Sequence, residues 1–240
     1  MNAVIGTPVI GTQGLGKQYR RKQALAECTV SIPVGAITGL VGPNGAGKST
    51  FLNLVTGMLA PSQGSIRVLG QAPGTQLAKV GFVAQDTPVY ASLSIADHLR
   101  LGAHLNPGWD QSYAEARMAR LGLEVKQKAG KLSGGQRAQL ALTMAIAKRP
   151  ALLILDEPVA ALDPLARRGF MDDLTATATS TGMSVVLSSH LVSDLERTCD
   201  WLMVLNDGRV RAAGPLRGLL AAHPGMSTED MVLTYLEKTS

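Results

Sequence analysis

One short segment, Gly42 to Thr50, combines the residue types that bind a chain of phosphates. Its residues are Gly42, Pro43, Asn44, Gly45, Ala46, Gly47, Lys48, Ser49 and Thr50. The glycines allow backbone N–H groups to surround a phosphate, Lys48 can neutralise the β- and γ-phosphates, and the Ser49 hydroxyl can bind Mg²⁺. A predicted strand precedes this loop and a predicted helix follows it, which is the context that a phosphate loop requires. The sequence therefore predicts a nucleoside triphosphate site with Mg²⁺.

A pair of acids follows a second apolar stretch. Asp156 and Glu157 come directly after residues 151–155, which are all apolar and have the length of a buried strand. Paired acids at such a position often only cap a helix. Beside a phosphate loop, Asp156 can instead contribute to the Mg²⁺ shell, and Glu157 can act as the general base toward water.

Two further polar residues lie at the ends of predicted strands. His190 follows residues 184–188, and Gln85 follows residues 80–84. Parallel sheets bind ligands at the carboxyl ends of their strands, so His190 can contact a γ-phosphate or orient water beside Glu157. Gln85 can reach Mg²⁺ or that water, although a glutamine at a strand end is by itself a weak signal.

A second predicted anion site precedes a helix at residues 136–147. The run is Leu132-Ser133-Gly134-Gly135-Gln136, and a Ser-Gly-Gly turn there would present bare backbone N–H groups at the positive end of the helix dipole. Two phosphate-binding segments in one small domain need an explanation.

The elements that position these residues alternate between strand and helix. Residues 9–15 and 24–32 read as antiparallel strands, and residues 35–41 as a buried strand before the phosphate loop. Helical spacing dominates 86–150, whereas β/α alternation resumes at 151. We therefore expect one domain over 1–240. It has a mostly parallel α/β core (1–85 and 151–213), an antiparallel β subdomain, an inserted helical subdomain (86–150) and a helical tail (214–240).

Composition excludes several classes of protein. The hydrophobic content of 45% suits a folded core, and the two cysteines are too few for a disulfide framework. The net charge of +5 is mild, and we expect no nucleic-acid partner. Residues 1–7 lack a signal-peptide pattern, and no apolar run approaches the ~18 residues that a membrane span needs.

With these pieces in order, residues 19–214 resemble the nucleotide-binding subunit of ATP-binding cassette (ABC) transporters, whose core is a RecA-like P-loop NTPase fold. Gly42 to Thr50 resembles the Walker A motif, 152–157 Walker B, and 132–136 the ABC signature. Gln85 corresponds to the Q-loop, and His190 to the switch histidine. Tyr19 corresponds to the aromatic residue that stacks on adenine, although alone it would pass for an ordinary strand tyrosine.

The resemblance explains the second anion site. In this family two cassettes pack head to tail, so that Ser133, Gly134, Gly135 and Gln136 would contact ATP bound to the partner. Ala161-Leu162-Asp163 resembles the D-loop, and Asp163 would run along the dimer interface. The chain departs from the family where a serine or threonine often precedes Leu-Asp, because Val159-Ala160-Ala161 stands there.

The resemblance implies the ATPase motor of an ABC transporter, which acts as a homodimer or heterodimer and drives a separate membrane permease. The chain would then lie on the cytoplasmic face of the membrane, with residues 86–105 toward the permease. Export, as in bacterial multidrug, antibiotic or lipid exporters, is the expected direction, and import is the alternative. A non-transport ATPase of DNA repair or translation is a further alternative. Such relatives carry long coiled-coil insertions or two cassettes, and this chain has neither.

Overall fold

The computed structural model describes residues 7–86, 89–160 and 162–237. The strands are β1 (Ile10–Tyr19), β2 (Lys22–Ile32), β3 (Ile37–Val41), β4 (Gln63–Val68), β5 (Val80–Val83), β6 (Leu152–Asp156), β7 (Ser184–Ser189), β8 (Trp201–Asn206) and β9 (Arg209–Pro215). The helices are α1 (Lys48–Thr56), α2 (Ile95–Leu105), α3 (Gln111–Arg120), α4 (Gly134–Ala147), α5 (Pro164–Thr181), α6 (Val192–Glu196), α7 (Leu216–Ala221) and α8 (Thr228–Glu237).

Two sheets confirm the predicted fold class. A six-stranded sheet has the order β5-β6-β7-β3-β8-β9, and a three-stranded sheet has the order β2-β1-β4. The larger sheet is parallel from β5 to β8, and only β9 is antiparallel. Every residue of β3, β6, β7 and β8 is buried. This is expected of parallel strands that helices or a second sheet cover on both faces.

The register of the parallel strands brings the predicted motifs together. Val41, at the end of β3, lies opposite Ser189 of β7, and Asp156 of β6 lies opposite Ser188. Since these carboxyl ends share one edge of the sheet, the loops that follow β3, β6 and β7 leave the sheet side by side.

The helical region has its own hydrophobic core but remains joined to the sheet. Ile95, Leu99 and Met118 of α2 and α3 pack with Leu140 of α4, whereas Leu142 of α4 packs on the main core. A salt bridge forms a second connection. Nη2 of the buried Arg117 in α3 lies 3.0 Å from Oδ2 of Asp173 in α5.

The observed elements differ from the expected ones mainly at their ends. Helix α4 begins at Gly134 rather than at residue 136, and β9 continues to Pro215, so the helical tail begins at Leu216. Residues 1–6 and 238–240 lie outside the described part of the chain. So does Ala161 of the predicted Ala161-Leu162-Asp163 turn.

Candidate functional site

One cavity at the carboxyl edge of the large sheet brings most of the predicted site residues together. Its volume is about 480 Å³, within the usual range for ligand pockets. The predicted residues that line it are Tyr19, Asn44, Gly45, Gly47, Lys48, Ser49, Thr50, Gln85, Glu157 and His190. Two residues that the sequence did not indicate, Lys22 and Ala24, also line it. Gly42, Pro43 and Ala46 shape the loop without lining the cavity, and the buried Asp156 does not line it either.

The phosphate loop requires glycine at its two ends. A Cβ atom on Gly42 would lie 2.0 Å from the Leu205 carbonyl oxygen, and one on Gly47 would lie 2.6 Å from that of Ala24. Gly47 also has φ of 106°, a left-handed conformation that residues with side chains rarely adopt. The loop therefore packs against backbone on both sides, and α1 begins at its end.

Lys48 is nearly buried and is held by its own loop. Its ammonium group donates to the carbonyl oxygens of Gly42, at 2.7 Å, and Pro43, at 3.3 Å. Nζ also lies 3.5 Å from Oε1 of Glu157. A cation buried at the start of a helix favours an anionic ligand, because both attract negative charge.

Glu157 is the centre of the polar site. Besides Lys48, Nε2 of Gln85 and Nδ1 of His190 each lie 3.5 Å from its Oε2. The carboxylate is largely buried, whereas the His190 side chain is 46% exposed and faces the cavity. Glu157 has φ of 46°, so its backbone is left-handed although it is not glycine. Such strain is most often found at functional sites.

Ser188 organises the two acids, and the sequence analysis did not identify it. Its hydroxyl donates to Asp156 Oδ1 at 2.6 Å and accepts from the Glu157 N–H at 2.8 Å. A serine at the end of an apolar stretch, two residues before His190, was the available signal. It could be interpreted only once β6 and β7 were known to be neighbours.

We expect Ser188→Ala to lower the predicted hydrolysis of a nucleoside triphosphate at this site about tenfold, because both acids lose the group that orients them. The matched control is Ser184→Ala at the other end of β7, where another buried serine accepts a hydrogen bond from the Gly35 N–H. Both variants should lose about 1 kcal/mol of unfolding free energy. Steady-state phosphate release separates them, and equal rates in the two variants would contradict the role of Ser188.

The donor set fits Mg²⁺ that is bound together with a phosphate ligand. Across residues 7–86, 89–160 and 162–237 no group of three or more His, Cys, Asp or Glu side chains could hold a metal. Mg²⁺ is typically held by one or two protein oxygens, substrate phosphates and water. The Ser49 hydroxyl and the Asp156 carboxylate, at the ends of adjoining elements, are oxygen donors of this kind.

Tyr19 lies at the outer end of the cavity. It is 42% exposed, and the ammonium group of Lys17 lies 5.4 Å from the ring centroid. A half-exposed ring at the rim of a pocket that contains a phosphate loop is suited to stack on a flat base.

The signature residues and Asp163 lie outside this cavity. The Ser133 hydroxyl accepts from the Gln136 N–H, and the Gln136 side chain accepts from the Ser133 N–H, so the two residues form a capping box. The expectation of a wholly bare helix end is therefore corrected. The N–H groups of Gly134 and Gly135 remain the ones that a helix start leaves without intrahelical partners.

Asp163 caps α5 beside the signature. Its carboxylate accepts from the N–H groups of Leu165 and Ala166. A Cβ atom on Gly135 would lie 3.2 Å from Cβ of Ala166, so the two helix starts adjoin. Leu165, the residue before Ala166, is 81% exposed.

Comparison with known proteins identifies the family. A family model described as ABC transporter matches residues 25–160. The chain belongs to this family. It is an ABC ATPase, the ATP-binding subunit of a transporter, and such subunits pair with a membrane permease and form cassette dimers.

The relatives of this ABC ATPase include transport proteins with different names. This chain is 35% identical over 227 residues to the Nod factor export ATP-binding protein I of Rhizobium johnstonii. The alignment covers 90% of this chain and 72% of that relative. This chain is also 30% identical over 201 residues to the lantibiotic transport ATP-binding protein SrtF of Streptococcus pyogenes. That alignment covers 82% of this chain and 87% of SrtF. A solved dimeric cassette in a post-hydrolysis state with ADP and Pi has 25% identity and a TM-score of 0.77. That match covers 87% of this chain and 99% of the solved one.

The part of this ABC ATPase that the structure describes contains no helix both long and apolar enough to cross a bilayer.

Proposed function

We propose that this ABC ATPase hydrolyses ATP in the cavity around Glu157, with Mg²⁺, and that hydrolysis drives export through a separate permease. The observation that carries the proposal is the convergence of Lys48, Gln85 and His190 on one buried carboxylate beside a phosphate loop. A cation, an amide and an imidazole around one carboxylate can orient water and stabilise the charge that develops on the phosphate.

Each side chain has a distinct role in the proposed reaction. Water attacks the γ-phosphorus, the bond to the β,γ-bridging oxygen breaks, and Glu157 accepts the proton of the water. Lys48 exchanges its loop carbonyls for phosphate oxygens, and His190 and Gln85 orient the water. Tyr19 stacks on adenine, and residues 42–50 surround the phosphates.

Ser49, Asp156 and Gln85 are the side chains that would hold Mg²⁺. Held by these side chains, Mg²⁺ would neutralise phosphate charge. Ser188 supports this arrangement because its hydroxyl donates to one oxygen of the Asp156 carboxylate and so fixes it.

A complete site requires two cassettes. Ser133, Gly134, Gly135 and Gln136 do not line the cavity, but they form an exposed helix start beside Asp163. In a head-to-tail dimer these groups would close over ATP held by the partner, with Leu165 and Asp163 at the interface. Because one chain carries both halves, two copies would make two complete sites, and a heterodimer remains the alternative.

A second cavity supports a docking place for the permease. It has a volume of about 220 Å³ and lies between β5, α2 and α4, next to the segment that follows Gln85. Phe82, Tyr90 and Leu101 are among the residues that line it, and Tyr90 is 64% exposed. Binding there would attach the permease directly to the strand end that carries Gln85, within the predicted 86–105 surface.

Export is supported by the relative that is named for Nod factor export. We propose three parts for the chain: a sheet core over 1–85 and 151–213, the helical subdomain over 86–150, which has its own hydrophobic cluster, and the helical tail after β9.

Co-purification tests the proposed docking place. We expect Tyr90→Asp to lose the permease from detergent extracts while the isolated protein keeps its ATPase rate. A new charge would oppose an apolar partner, and the ATP cavity is separate. Val34→Asp is the matched control, since Val34 is 66% exposed in the turn before β3. Retention of the permease by Tyr90→Asp would refute the docking place.

The direction of transport needs a separate assay. In inside-out membrane vesicles that contain the complex, ATP-driven uptake of the transported substrate would indicate export.

A further inference from the structure

Two charged side chains that do not line the ATP cavity lie close to each other, outside the residues assigned so far. Arg167, in the first turns of α5, has Nη1 3.8 Å from Oδ2 of Asp194 in α6. Their side chains are only 23% and 14% exposed. Water therefore screens this pair much less than an ordinary surface ion pair.

Arg167 also contacts the turn that carries Asp163. Its Nη2 donates to the carbonyl oxygen of Leu162 at 3.4 Å. Leu162 is buried, whereas its neighbour Asp163 is exposed on the proposed dimer surface. One guanidinium group thus joins the partner-facing turn to α6.

Asp194 extends this connection toward the reacting group. Burial raises the pKa of its carboxyl group above the ordinary value, and the charges of Arg167 and His190 oppose that rise. His190, just before α6, has Nδ1 3.5 Å from Oε2 of Glu157. Asp194 is in α6, and His190 immediately precedes Leu191, the N-cap of that helix. The series Leu162, Arg167, Asp194, His190 and Glu157 therefore runs from the proposed dimer surface, through α6, to the proposed general base.

The contact between Arg167 and Asp194 is incomplete. Nε of Arg167 and Oδ2 of Asp194 are buried, and neither has a hydrogen-bond partner among the residues that the structure describes. A separation of 3.8 Å is too long for a hydrogen bond. A small approach of α5 to α6 would let the planar guanidinium bind the carboxylate through two bonds and satisfy both atoms.

We infer that Arg167 and Asp194 are positioning residues that hold His190 beside Glu157, and that contact of the partner cassette with the Leu162–Asp163 turn tightens this hold. Movement of the Leu162 carbonyl lets Arg167 close on Asp194, so that α6 fixes His190 where it already lies, with Nδ1 3.5 Å from Oε2 of Glu157. The inference rests on the proposed hydrolysis at Glu157, and it assigns a role to two residues that do not touch the nucleotide.

The test compares two neighbouring arginines of α5. We expect Arg167→Gln to lower kcat about tenfold with the KM for ATP within about twofold, because positioning is lost and the binding loop is intact. Arg167→Lys should recover part of kcat, since the charge is kept. Arg168→Gln is the matched control, because Arg168 is exposed and its Nε lies 3.9 Å from Oδ2 of Asp172, which is also exposed.

A double-variant cycle makes the test specific. If the two residues act through each other, Arg167→Gln with Asp194→Asn should lose no more kcat than Arg167→Gln alone. Additive losses would overturn the inference, as would equal kcat in Arg167→Gln and Arg168→Gln. A rise in KM as large as the loss of kcat/KM would also overturn it.

A failure of the proposed function would give a different result. If Glu157→Gln retains normal hydrolysis, the base is wrongly assigned, whatever Arg167 does. Thermal unfolding of every variant checks folding. If Arg167→Gln unfolds at the assay temperature, the comparison of Asp194→Asn with wild type decides, and an unchanged kcat there overturns the inference.

Discussion

Replacing Glu157 with glutamine should lower ATP hydrolysis at least ~100-fold and leave ATP binding intact. Glutamine has the same shape and can still contact Lys48, Gln85 and His190 around the carboxylate position. It cannot accept a proton from water, so the chemical step fails while the phosphate loop still binds. The bound ATP should then hold two cassettes together.

Three measurements on the same protein examine this result: phosphate release, ATP affinity, and molecular mass by light scattering with and without ATP. Glu229→Gln is the control, because Glu229 is exposed in the first turn of α8, in the helical tail. A Glu157→Gln protein that turns over at the wild-type rate would show that another group accepts the proton.

The second large effect is expected at the signature. Ser133→Arg should bind ATP with wild-type affinity, because Ser133 does not line the ATP cavity of its own chain. A long cation at this exposed helix start should block the partner's γ-phosphate from reaching the Gly134 and Gly135 N–H groups. Dimer closure should be lost in the Glu157→Gln background, and hydrolysis should be lost in the wild-type background.

The structure offers a matched control for helix capping. Ser94 caps α2 through the same kind of capping box, with Asp97 in place of Gln136. Ser94→Arg loses an equivalent cap, which costs about 1 kcal/mol, but it lies outside the proposed dimer surface. Closure should persist in Ser94→Arg, and its loss there would indicate that Ser133→Arg acts through helix stability.

Mixing two inactive chains tests the composite site further. Lys48→Ala should abolish binding by one phosphate loop, and Ser133→Arg should abolish the other half of the site. In a mixed dimer, the intact loop of one chain meets the intact signature of the other. Hydrolysis should therefore reappear on mixing, and continued inactivity would contradict the head-to-tail arrangement.

Local signals explain which parts of the site the sequence could predict. The phosphate loop, the acids after β6 and His190 after β7 each have a recognisable residue pattern within a few positions. The parallel register then brings them to one edge, which needs only the fold class. The S-x-x-Q pattern of Ser133 and Gln136 was also readable as a capping box, but the two glycines between them drew the interpretation toward bare N–H groups.

Contacts between distant segments could not be predicted in this way. The Ser188 hydroxyl in β7 donates to Asp156 in the neighbouring strand β6. Arg167 of α5 lies close to Asp194 of α6. Neither pair has a distinctive spacing in the sequence. Their roles depend on which helices and strands become neighbours, and that is known only from the three-dimensional structure.

The left-handed backbone at Glu157 lowers the stability of the fold at the residue that the reaction needs. A glycine there would adopt the same φ of 46° without the clash of a Cβ atom, and asparagine would adopt it more readily than glutamate. Laboratory selection for heat resistance alone should therefore enrich glycine or asparagine at this position. Those variants should have lost ATP hydrolysis. Persistence of glutamate under such selection would require that transport be selected as well.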